Sequence, residues 1–281
     1  MKSSNHDIMI GTEPLAGRRT VLADSLEEIR STVPDIEQIK VANVIIGAGY
    51  TGVSLSSGQV GLAHSSLDEY SPHCCEIMDR AGHLAGSSAL DMARLALSWD
   101  IRARVLGVAT INAISQLLPD QSETGISTLE GDIVDHITVR GDVVTVVGNI
   151  RPTVEKLRAR AKKIYVLERN PDLRDEETLP DTAAEEIIPQ SQVVIITGAS
   201  ITNGTVDRLL ELSRNAREVA LVGATAGLPP IVLFRHGATA VGTIKVTHPT
   251  EVMQVIAEGG GTPTLMDSVK FVVYKRITEE M

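Results

Sequence analysis

The chain has 281 residues and a formal net charge of −10, with 43% hydrophobic but only 2% aromatic residues. That length accommodates two domains around an aliphatic core. The acidic balance and the scarcity of aromatic platforms argue against a polyanion-binding face, so nucleic acid is not an expected partner.

Residues 8–15 are short and ambiguous. Leu22, Leu26 and Ile29 carry helical spacing, which predicts a helix over Val21–Thr32 that Pro34 ends. Three short strands follow at 39–46, 51–56 and 59–64, joined by tight turns at Gly47-Ala48-Gly49 and Ser57-Gly58. The next stretch contains His73, the adjacent cysteines Cys74 and Cys75, Glu76, Asp79 and His83. Were 73–83 helical, Cys75, Asp79 and His83 would share one face and offer a soft divalent metal a thiolate, a carboxylate and an imidazole. The zinc spacings C-x-x-C and H-x-x-x-H are absent, and cysteines packed as small apolar groups beside a polar loop are the more ordinary account of the segment. Neighbouring cysteines imply no disulfide framework.

Two helices are expected at 88–98 and 101–118, with Trp99-Asp100 as the break. The polar, turn-rich stretch 119–125 is the best linker, dividing the chain into an α+β domain (1–125) and an α/β domain (126–281). A short helix is expected at 132–139, where Asp132 and Asp135 mark a solvated face. Continuous aliphatic runs at 143–147, 193–197 and 219–222 suit strands covered on both faces, as in a mostly parallel sheet. Pro152 opens a helix after the first of these, and a strand at 164–167 completes a β-α-β unit.

In such sheets the ligand crevice lies beyond the carboxyl ends of the strands. That rule nominates Gly148 and Asn149 after the first strand. After the third it nominates Thr197, Gly198 and Ser200, with Asn203, Gly204 and Thr205 ahead of a helix at 206–212. After the fourth it nominates Gly223 and Thr225. Several hydroxyls and an amide before a helix N-terminus favour a site for a carboxylate or phosphate over simple capping. The continuation Leu228-Pro229-Pro230 reads as a rigid wall. Glu168 stands twenty positions after Gly148, the interval of an acid that binds a ribose hydroxyl, which keeps an adenosine-containing cofactor open. No G-x-G-x-x-G is present, and Glu168 serves equally as a cap for the next turn. No nucleophile elbow, P-loop or kinase signature appears.

The segments 107–113 (Gly-Val-Ala-Thr-Ile-Asn-Ala), 196–205 (Ile-Thr-Gly-Ala-Ser-Ile-Thr-Asn-Gly-Thr) and 221–230 (Leu-Val-Gly-Ala-Thr-Ala-Gly-Leu-Pro-Pro) resemble hallmark stretches of the "putative heavy-metal chelation" family. The resemblance runs from about the first strands to about Gly261. It implies an enolase-N-terminal-like domain followed by a Rossmann-like domain. It also implies a small-molecule site between them, for metal-chelating, pterin-like, flavin-like or siderophore-like metabolites. On that reading Asn112 reaches the turns of the second domain and hydrogen-bonds a polar ligand edge; otherwise it caps or kinks its helix. His64 and Glu168 are the catalytic candidates, with His236 and His248 near later turns. Three readings remain open: an enzyme or binder acting on a small polar metabolite or metal chelate, a metal-delivery protein without catalysis, and a methyltransferase-like or dinucleotide-dependent enzyme. A divalent heavy metal and an adenosine cofactor are the cofactors considered, and a homodimer is the default assembly. No stretch matches a transmembrane helix and residues 1–7 lack a signal-peptide core, so no membrane partner and a cytoplasmic location are expected.

Overall fold

The computed structural model describes residues 19–69, 80–119 and 125–277. Helix α1 (Val21–Thr32) begins where the Thr20 hydroxyl accepts from the Ala23 N–H at 3.2 Å, and it buries Val21, Leu22, Leu26 and Ile29 as one stripe. Strands β1 (Val41–Ile46), β2 (Tyr50–Leu55) and β3 (Val60–His64) form an antiparallel meander in that order. Helix α2 (Ala89–Arg94) precedes α3 (Ile101–Ser115), which Asp100 caps by accepting from the Arg102 N–H at 2.9 Å.

Helix α3 is buried without interruption from Arg104 to Ile114. Such a helix is surrounded, not amphipathic. On one side it carries the small sheet. There a Cβ on Gly61 of β3 would stand 2.1 Å from both the Ala109 carbonyl oxygen and the Ala113 nitrogen, so only glycine permits this approach.

The second half opens with β4 (Ile126–Glu130), α4 (Ile133–His136), β5 (Val143–Val147), α5 (Arg151–Arg158), β6 (Lys163–Glu168) and β7 (Thr178–Pro180). It continues with α6 (Ala184–Ile187), β8 (Val193–Thr197), α7 (Ala199–Thr202), α8 (Val206–Leu212), β9 (Glu218–Val222) and α9 (Pro230–Arg235). Then come β10 (Ala240–Val246), α10 (Pro249–Ala257), α11 (Thr262–Leu265) and β11 (Val269–Arg276). These strands make one eight-stranded sheet in the order β4-β11-β10-β9-β8-β5-β6-β7. Pairing is parallel from β10 through β7, and β11 runs antiparallel to both β10 and β4. The molecule is thus a mixed α/β fold with two sheets, one of them largely parallel.

Strand alternation explains the aliphatic runs. Val194 and Ile196 of β8 enter a core shared with α1, α3 and α8, while Val193 and Ile195 face a second core with α4 and α5. The first of these cores extends without a break from α1 and β1 into the large sheet. A third cluster seats Val252, Met253 and Ile256 of α10 beside Val60 and Leu62 of the small sheet. The meander is therefore held between α3 on one face and α10 on the other.

From β5 the chain moves to β6 and β7 on one side, then β8 returns to pair with the other edge of β5. The strand order reverses there, and the carboxyl ends of β5 and β8 splay a crevice open.

Several expectations need correction. The long helix expected at 101–118 stops at Ser115. Near His83 the chain is a turn: the His83 N–H donates to the Arg80 carbonyl at 3.0 Å and Gly82 has φ +85°. A helix across 73–83 therefore does not reach His83, which is exposed. Cys75 and Asp79, the other two residues of that metal triad, lie outside the described residues, as does 8–15.

Candidate functional site

A cleft of about 910 Å³ lies at the β5/β8 reversal. Its floor is the turn Gly148-Asn149 after β5, the turn after β6 and the start of α7 after β8; its outer wall is His64, Ser66 and Glu69 beyond β3. Gly148 has φ +93°, and a Cβ there would meet the Thr197 side chain at 3.0 Å, so the two strand ends close on each other.

Glu168 is buried at the end of β6 and braces two turns. One carboxylate oxygen accepts from the Asn149 N–H and the other from the Asn170 N–H, both at 2.8 Å. Asn149 adds a side-chain bond, donating to the Leu173 carbonyl at 2.9 Å. Thr197 Oγ1 accepts from the Ala199 N–H at 3.3 Å. Asn203 turns inward on its own loop, accepting from the Thr205 N–H at 3.2 Å and the Thr205 hydroxyl at 2.7 Å. Ser200 differs from these neighbours. It is 1% exposed, and its Oγ has no hydrogen-bond partner among the described residues.

The wall from the small sheet is ordered. His64 Nδ1 accepts from the Ser66 N–H at 3.2 Å, which leaves Nε2 to carry the proton of the neutral ring. Ser66 holds φ +51°, uncommon for a residue with a side chain and frequent at functional sites. Arg169 pairs with Glu69 at 3.2 Å, joining the β6 turn to the segment after β3. Arg208 binds Glu185 with its Nε at 2.8 Å; that hydrogen bond holds the Glu185 carboxyl below the usual range and pushes the guanidinium up. Carboxylates outnumber cations in the lining: Glu69, Glu168, Asp172, Asp181 and Glu185 face only Arg169 and Arg208.

His64, Gly148, Asn149, Glu168, Thr197, Ser200, Asn203 and Thr205 thus come together around one cleft. The other nominated residues lie behind it. Asn112 Nδ2 donates to the carbonyls of Leu62 at 2.8 Å and Thr225 at 3.0 Å, and Thr225 Oγ1 accepts from the His64 N–H at 2.9 Å. Those two residues stitch α3, β3 and the turn after β9 together. Gly198 is buried against Ala226, and Gly223 donates its N–H to the Gly242 carbonyl. Gly204 makes room for Arg104, whose Nε donates to the Ser98 carbonyl at 2.8 Å. Burial holds that guanidinium below its ordinary pKa, with nearby Glu69 opposing. His236 Nε2 meets Asp24 at 2.9 Å and His248 is exposed beside Thr247, so neither approaches the cleft.

Ser66, Glu69, Arg169, Asp172, Asp181, Glu185 and Arg208 were not nominated from the sequence. The crevice rule applied to β6 as strictly as to β5 and β8 reaches 169–172. The others come from the turn after β7, from α6 and α8, and from the segment after β3, which only the fold brings near. Among the described residues no group of three or more His, Cys, Asp or Glu side chains is placed to hold a metal ion. No helix of the described residues is long and apolar enough to cross a membrane.

Family profiles described as "Putative heavy-metal chelation" match residues 29–115 and 132–275. An uncharacterized protein of Methanocaldococcus jannaschii is 30% identical over 232 residues, covering 79% of this chain and 86% of the relative. A crystal structure of a DUF364 family protein of unknown function from Pyrococcus horikoshii superposes with a TM-score of 0.78 and 25% identity, covering 90% of this chain and 99% of that one. Another, from Desulfitobacterium hafniense, gives 0.75 and 26%, with coverage of 91% and 98%. The chain belongs to the DUF364 family, whose description is putative heavy-metal chelation.

Proposed function

We propose that the cleft at the β5/β8 reversal binds a small polar metabolite, a metal chelator or its metal chelate, between an enolase-N-terminal-like unit and a Rossmann-like unit. The observation that carries this reading is Ser200, buried at the cleft floor with an unpartnered hydroxyl. Leaving such a group unpaired costs about 1–3 kcal/mol, which a ligand hydrogen bond relieves. The surplus of carboxylates in the lining favours a neutral or cationic ligand over an anionic one. In this reading the ligand supplies the donors to the metal. An adenosine cofactor is the less favoured occupant: the Glu168 carboxylate that would take its ribose already accepts two backbone N–H groups.

A thermal-shift series tests the reading, using 6-hydroxymethylpterin, riboflavin, catechol, its neutral 1:1 copper(II) chelate and adenosine as probes. The variant Asn149→Trp fills the cleft from a half-buried position in its floor and serves as the blocked control. Ligand that binds the native state raises its stability by mass action. At least one of the first four probes is expected to raise Tm in the parent and not in Asn149→Trp. A shift with adenosine alone, or none with any probe, overturns the proposal.

A further inference from the structure

A second cavity, of about 380 Å³, shares no lining residue with the cleft. It lies at the far side of the seam, between the end of α3, β3 and one face of β10 and β11. Thr243 and Lys245 are on the same face of β10, and Thr243 stands opposite Val272 of β11. Its volume is at the low end of small-molecule pockets, typically about 300–1,000 Å³.

Two of its lining groups are buried polar atoms with no hydrogen-bond partner among the described residues: Asn112 Oδ1 and Thr243 Oγ1. Their residues are 4% and 6% exposed. The Asn112 amide is not reversible. Its Nδ2 faces the carbonyls of Leu62, Ala224 and Thr225, and a flip would set oxygen against oxygen three times. An acceptor at Oδ1 is therefore fixed. The walls combine aliphatic side chains such as Val60, Leu228 and Val272 with polar ones such as Ser115 and Thr128, and Lys245, exposed at the rim, is the one charged residue in the described lining.

We propose that this cavity is a second ligand site, for a small hydroxy-carboxylate. The ligand hydroxyl donates to Asn112 Oδ1 and accepts from Thr243, its apolar body lies against the aliphatic side chains, and its carboxylate pairs with Lys245. Two residues along a strand separate Thr243 from Lys245 by about 6.7 Å. A benzene ring holds a para hydroxyl and a carboxylate at a comparable separation. The proposal stands apart from the metabolite cleft and does not depend on it.

The test is a titration of the full-length protein with 4-hydroxybenzoate, followed by NMR, in the parent and in Thr243→Val and Lys245→Gln. Benzoate, which lacks the hydroxyl, is the comparison ligand. Saturable binding is expected, weakened about tenfold by either variant and about tenfold by omitting the hydroxyl. Thr243→Val is expected to leave the affinity for benzoate unchanged, because benzoate lacks the hydroxyl that Thr243 binds. Thr243→Val is also expected to melt at or above the parent temperature, since it removes an unpaired polar group. Four results would overturn the proposal: no saturable binding, equal affinity in parent and Thr243→Val, a lowered Tm in that variant, or binding abolished by Asn149→Trp instead.

Discussion

Asn112 of α3 donates to the main-chain carbonyl of Thr225 at 3.0 Å, and the Thr225 hydroxyl in turn accepts from the backbone N–H of His64 at 2.9 Å. Through these two bonds the central helix, the small sheet and the turn after β9 form one seam. The cleft at the β5/β8 reversal lies on one side of that seam and the second cavity on the other.

Replacing Asn112 by alanine removes the amide shared by Leu62, Ala224 and Thr225 and leaves buried carbonyls unpaired. The expected loss is about 1–3 kcal/mol. It is read as a lowered urea midpoint, and an unchanged midpoint would show that the seam contributes nothing.

Gly61→Ala forces a Cβ to 2.1 Å from two backbone atoms of α3, which no side-chain rotation relieves. Overpacking of this kind is expected to cost about 3 kcal/mol or more. A soluble variant with the parent melting temperature would contradict the close packing of β3 on α3.

These two residues also show how far the sequence speaks. Strand β3, helix α3 and the alternation in β5, β8 and β9 were legible because burial on both faces writes continuous aliphatic runs. The crevice turns followed from strand polarity alone. Strand β10 carries Lys245, and β11 carries Lys270 and Lys275, so their runs are broken and they were not anticipated. Asn112 and Thr225 were nominated for a ligand; their hydrogen bonds across the seam join distant segments, which spacing along the chain does not reveal. Glu69 and Arg208 become neighbours of the crevice only through tertiary packing.

Asp142, just before β5, accepts from the Arg140 N–H at 2.7 Å and from Arg217 at 2.9 Å. The hydrogen bond from Arg217 holds its carboxyl below the ordinary range, with the Arg140 N–H adding to the effect. A depressed carboxyl stabilises the fold above its unfolded pKa, and that stability is lost as pH falls through the folded value. Half of Arg217 is solvated, so the ion pair contributes no more than about 1 kcal/mol. Asp142→Asn is expected to melt below the parent at neutral pH, and the gap is expected to close as pH falls below the ordinary carboxylate range. A gap independent of pH would contradict this.

Glu168→Gln replaces one accepting oxygen of the brace with a donor that clashes with an N–H. It is expected to lose about 1–2 kcal/mol and to loosen the Asn149 and Asn170 turns, seen as faster amide exchange there. Unaltered exchange at both amides would mean that Glu168 does not shape the cleft floor.

The most direct measurement is native mass spectrometry of the parent and Asn149→Trp after incubation with the low-molecular-mass fraction of a cell lysate, paired with elemental analysis. The account predicts one organic mass per chain on the parent, with or without a metal, and its loss from Asn149→Trp. The same mass on both proteins, or none on either, would contradict a metabolite site at the β5/β8 reversal.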